Sequence, residues 1–179
     1  LAVGAGYLLA PIPNVELVTS VIFLSGVVLG PRDGFIIGVV AEFIYSTFNP
    51  YGMALPPVLV AQLIGMGVAG VAGGVGRKTL IHAAANHRLP WLWALFGIGV
   101  TAFFEFVTIL ATSIVTGFSI ASFIAVAVFG GVFTLVHLVS NVAVFTLVLP
   151  KIGIALRRNS ISQVLEGNTA AVSTEEHQV

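Results

Sequence analysis

Acids, amides and imidazoles are scarce in this sequence, and several recur at helical intervals inside apolar runs. One set is Glu42, Tyr45, Ser46 and Asn49; a second is Thr101, Glu105, Thr108 and Thr112; a third is Gly130, Thr134, His137 and Asn141. Offsets of three, four and seven put each set on one helix face. Gln62 is a further polar residue in an apolar run, and Asn14 and Glu16 stand where another run begins. A charge at mid-membrane costs at least about 2.5–3.5 kcal/mol on insertion scales, so buried acids are expected to be paired, protonated or functional. Two chemistries fit these stripes. One is a polar cavity between helices 3 to 6 that holds a small solute and opens outward. The other is interhelical hydrogen bonding, with Glu105 and His137 satisfying each other. An intramembrane hydrolase built on Glu105 and His137 is a third reading, although two polar groups alone do not make a catalytic constellation. Tyr7, Phe48 and Tyr51 fall near the outer ends, either as interfacial aromatics or as a stacking wall for a flat ring. Trp91 and Trp93 are read as anchors at the inner interface.

The elements that must carry these residues are set by composition. The chain has 179 residues, 58% hydrophobic and 8% charged, against about 25% charged in a soluble domain. At roughly 20 residues per crossing, the length allows about six short-looped spans. The runs are Leu1 to Ala10, Val15 to Leu29, Gly34 to Phe48, Pro56 to about Val75, Pro90 to Ile114 and Ile120 to Leu149. Turn signals divide them: Pro11-Ile12-Pro13-Asn14, Gly30-Pro31-Arg32-Asp33, Asn49-Pro50-Tyr51-Gly52, Gly76-Arg77-Lys78 and Thr116-Gly117-Phe118-Ser119. The last run is about 45 Å long against a bilayer core of about 30 Å, so it must tilt, protrude or break, with Gly130-Gly131 the expected break. Residues 159–179 form a polar tail expected to be poorly ordered. The expected fold is therefore all-α and integral to the membrane: a six-helix transmembrane bundle over 1–158.

Charge placement supports the span count. Alternating spans put Arg32, Arg77, Lys78, Arg88, Lys151, Arg157 and Arg158, all 7 Lys and Arg, on one side. The positive-inside rule then places both termini in the cytoplasm of a cell-membrane protein. Small residues at intervals of four, among them Ala61, Gly65, Ala69 and Gly73, and Ala2, Gly6 and Ala10, allow close helix contact. They serve either packing within the chain or docking of a membrane partner.

Several signals are set aside. Gly73-Gly74-Val75-Gly76-Arg77-Lys78-Thr79 lacks the Lys directly after the last Gly that a phosphate loop needs. His82 and His87 have no matching ligand set for a metal. The absence of cysteine excludes disulfides and thiol chemistry. A net charge of +0 implies no nucleic-acid-binding face. No cleavable signal pattern is present.

The residues resemble the S components of energy-coupling factor transporters, the membrane subunits that capture vitamins. The likeness runs from Ala2 to about Arg158. It rests on six short-looped spans and on Pro13-Asn14-Val15-Glu16-Leu17-Val18-Thr19, Gly30-Pro31-Arg32-Asp33-Gly34 with Gly38, Asn49-Pro50-Tyr51-Gly52, and His137, Ser140-Asn141, Phe145 and Pro150. The resemblance implies substrate binding near the outer face by loops 11–16 and 49–57 and helices 4 to 6. It implies docking of a coupling membrane subunit on small residues of helix 1, here Ala2, Gly6 and Ala10, and energy from two ABC-type ATPases. Helix 1 looks cut short. No N-terminal histidine segment of the cobalt and nickel branch is present, which argues against a metal substrate. The chain is expected to be a non-enzymatic uptake subunit without cofactors. Its expected substrate contacts are Glu42, Tyr45, Asn49, Tyr51, Gln62, Glu105, His137 and Asn141, with Asn14 and Glu16 closing an outer lid. The substrate itself, a shared or dedicated coupling module and the oligomeric state are not legible in the sequence.

Overall fold

A computed structural model describes residues 1–9, 15–50, 52–85 and 90–155. Ala10, the 11–14 turn, Tyr51, Asn86, His87, Arg88, Arg157, Arg158 and the 159–179 tail therefore lie outside the described residues. The chain forms α1 (Ala2–Leu9), α2 (Val18–Leu29), α3 (Pro31–Thr47), α4 (Pro56–Ala85), α5 (Pro90–Val115) and α6 (Ile120–Leu147), with no strand among the described residues. Helical segments over 56–84, 90–115 and 120–155 are long and apolar enough to cross a membrane. The fold is that of an all-helical protein suited to a membrane.

The helix ends follow local chemistry. Gly30 adopts φ 104° between α2 and α3, a conformation that only glycine takes without strain. Pro31 opens α3 at its first position, where its missing N–H costs nothing. The turn expected over 30–33 is thus a single residue, and Arg32 and Asp33 lie within α3. The Ser119 side chain caps α6 by accepting from the Ser122 N–H at 3.0 Å. Two boundaries depart from expectation. α4 runs on through Gly76-Arg77-Lys78 to Ala85, because no residue there opposes helical backbone as proline would. α6 passes unbroken through Gly130-Gly131 and yields first at Val148, just before Pro150, whose ring cannot donate to the helix ladder.

Neighbouring helices alternate in direction. Gly38 meets Met66 while Gly34 meets Gly70, so α3 and α4 are antiparallel. Gly97 meets Phe145 and Glu105 meets His137, so α5 and α6 are too. α4 packs against α2, α3 and α5, and α1 rests on α2 and α3. Arg32, Arg77, Lys78 and Lys151 consequently gather toward the end where α2 and α6 finish.

Lipid supplies no hydrophobic push between helices, so tight van der Waals contact must hold them. A Cβ at Gly26 would overlap the Gly70 carbonyl oxygen, one at Gly70 would overlap that of Gly34, and one at Gly73 would overlap that of Phe23. Below the polar groups, Phe23 packs on Phe145, Phe96 and Trp93 at ring separations of 4.8, 5.6 and 6.5 Å. Trp93 is thus a fully buried core residue rather than an interfacial anchor, while Trp91 is exposed. Ala2 and Gly6, expected to dock a partner, are buried inside this chain, Gly6 against Tyr45 and Val18. Gly4 and Leu8 occupy the outward face of α1.

Gly70→Ala should lower thermal stability in detergent by at least about 2 kcal/mol, because backbone cannot yield as a side chain can. Gly130→Ala, with open space at its Cβ, should be neutral or slightly stabilising. Parallel melts of both variants measure the difference.

Candidate functional site

Three acids and one imidazole converge from four parts of the chain. Glu16 immediately precedes α2, and its carboxylate accepts the Val18 N–H at 2.6 Å and the Thr19 N–H at 3.2 Å. It also accepts from the Thr19 hydroxyl. These bonds satisfy donors that a helix start leaves free, and the dipole of the first turn favours the negative charge. The same carboxylate faces His137 Nε2 on α6 at 3.0 Å. The other ring nitrogen, Nδ1, faces Glu105 on α5 at 2.6 Å. The Thr134 hydroxyl donates to the second Glu105 oxygen at 2.8 Å. With a carboxylate at each nitrogen, an imidazolium donates twice, whereas a neutral ring can donate only once.

Glu42 forms the other half of the site. It is 2% exposed in the last turns of α3, and one of its oxygens accepts from the Ser46 hydroxyl at 2.7 Å. Ser46 Oγ also lies 3.0 Å from Gln62 Oε1 on α4. The second Glu42 oxygen is buried and has no hydrogen-bond partner among the described residues. Glu16, Glu42, Tyr45, Ser46, Asn49, Gln62, Met66, Phe104 and His137 line a partly open cavity of about 110 Å³. Phe104 meets His137 edge-on at 5.6 Å, and Gly65 leaves the space its ring needs.

The structure therefore brings together Glu16, Glu42, Tyr45, Asn49, Gln62 and His137, with Glu105 behind the imidazole. Glu16, expected at an outer lid, instead turns inward. Asn141 sits apart from the cavity, fully buried, with both side-chain polar atoms unpartnered among the described residues. The Thr101 and Thr108 hydroxyls are likewise buried without partners among the described residues. Of the expected aromatic wall, Tyr7 packs on Tyr45 at 5.3 Å and its hydroxyl donates toward the Ile44 and Tyr45 carbonyls. Phe48 is exposed, and Tyr51 and Asn14 lie outside the described residues. Met66, Phe104 and Thr19 escaped the sequence reading. In a membrane helix an apolar wall residue looks the same as a lipid-facing one.

Among family models, curated proteins and solved structures, none matches this chain.

Glu16→Gln and His137→Gln should each cost about 3–5 kcal/mol, the range for breaking one partner of a buried pair. The double variant should cost less than the sum, because the two share one bond. Unfolding free energies from denaturing-detergent titration give the coupling.

Proposed function

We propose that this chain is the substrate-capturing membrane subunit of an energy-coupling-factor-type importer, taking up a vitamin or vitamin precursor. The supporting observation is the cavity. Acids and amides from α3, α4 and the start of α2 line a small, partly open space inside a helical bundle, and one of them, Glu42, has a carboxylate oxygen without a partner among the described residues. Other buried polar atoms, at Thr101, Thr108 and Asn141, are unpaired away from the cavity; what sets Glu42 apart among the described residues is that its unpaired oxygen belongs to a side chain lining that space, where a solute's donor would offset the cost of an unmet polar group. In this reading α2 and α3 cross the bilayer as well, while α1, of 8 residues, is too short to span alone. α3, of 17 residues, extends about 26 Å. The cation-bearing end faces the cytoplasm, and the cavity end faces outward. A coupling membrane subunit and two ABC-type ATPases would complete the importer.

The Glu105–His137 contact also matches what an intramembrane acid–base enzyme would require. Glu16 argues for the capture reading, because it occupies the second imidazole nitrogen and leaves that ring as a brace between helices.

Native mass spectrometry of the detergent-purified chain should reveal a co-purifying small molecule of reproducible mass. Its absence, with no thermal shift across a panel of vitamins and precursors, would remove the capture reading. The orientation has its own check, since the chain has no cysteine of its own. Single variants Lys78→Cys and Phe118→Cys should react with an impermeant thiol reagent from the cytoplasmic and outer faces respectively. Labelling of both from one face would refute the assigned topology.

A further inference from the structure

We infer that the group captured at this site is a small organic cation, a protonated amine or amidinium on a single ring, held by Glu42; the inference rests on the capture reading. The first support is a shortage of donors. The Ser46 hydroxyl has one hydrogen to share between Glu42 and Gln62. Turning the Gln62 amide over would supply Ser46 with a donor, yet the second Glu42 oxygen would still have none. His137 cannot serve it, since its two nitrogens face Glu16 and Glu105. The two contacts at His137 are the ion pairs found among the described residues. Arg32, Arg77, Lys78 and Lys151 belong to the opposite end of the bundle. Among the described residues no donor meets that oxygen, and a solute entering the cavity would supply one.

Charge balance selects a cation over a neutral donor. With His137 as imidazolium between ionised Glu16 and Glu105, the triad carries one net negative charge before Glu42 is added. An anionic solute would meet repulsion in a site where desolvation strengthens it. The walls agree, because Tyr45 and Phe104 line the same space as Glu42, and aromatic faces attract cations. Size sets the scale. A space of about 110 Å³ is somewhat smaller than the roughly 150 Å³ cavity that accepts benzene. An amine or amidinium head with part of one ring fits, and the remainder of the solute would lie outside the cavity.

Benzamidinium and benzamide test this as a pair of nearly equal shape that differ in charge. Binding of each to the full-length chain in nanodiscs is measured by calorimetry and thermal shift. Wild type should bind benzamidinium at least ten-fold more tightly, a forked donor being matched to a carboxylate. Glu42→Gln should abolish that preference while its ligand-free melting temperature stays near wild type. If Glu42→Gln does not fold, Glu42→Asp should keep the sign of the preference with reduced affinity. Equal binding of both probes, binding of neither, or a preference that persists in Glu42→Gln or is lost in Glu42→Asp overturns the cation assignment. A neutral or anionic molecule co-purifying in native mass spectrometry would also overturn it while leaving the capture reading intact.

Discussion

The imidazole of His137 binds together segments that are far apart in the chain. One nitrogen faces the carboxylate that caps α2 and the other faces an acid on α5, while the ring itself belongs to α6. In an environment that offers little water, each of these groups would be costly if left alone. Paired, they set the height of α2 relative to the α5–α6 hairpin. The cavity lies beside this brace, and its shape follows from where the brace holds Phe104 and Glu16.

The rest of the bundle divides into two kinds of contact. α2, α3 and α4 meet backbone to backbone through Gly26, Gly34, Gly70 and Gly73. Such surfaces admit no displacement without a clash, so they fix the floor from which Glu42, Ser46 and Gln62 project. α5 and α6 instead meet along a seam with polar groups on both helices. That seam is satisfied at Glu105, Thr134 and His137 and unsatisfied at Thr101, Thr108 and Asn141. The site therefore sits between a close-packed slab and a seam held mainly by one bonded cluster.

Glu42 and Glu105 illustrate how similar residues acquire different roles. Both are acids in apolar helices, and both are withdrawn from solvent to some degree. Glu105 finds an imidazole and a threonine, so its charge is balanced within the protein. Glu42 finds one serine hydroxyl and keeps an oxygen directed to no partner. That difference separates an acid whose partners all lie within the bundle from one with an oxygen still unmet among the described residues.

The sequence by itself determined the helical character, most helix positions and the polar stripes. Low charge forces burial in lipid or protein, and spacings of three and four put Glu42 with Ser46 and Thr134 with His137 whatever the tertiary arrangement. It also singled out Glu105 and His137 as possible partners. It could not show that Glu16 reaches His137 across 121 positions of chain, because register between distant helices depends on how their surfaces interlock. For the same reason Trp93 reads as an interfacial anchor and Phe104 as an ordinary apolar residue, and Ala2 and Gly6 read equally as packing or as a docking face. Only the packed bundle decided which small and aromatic residues turned inward, since a helix lists its faces in sequence but not its neighbours.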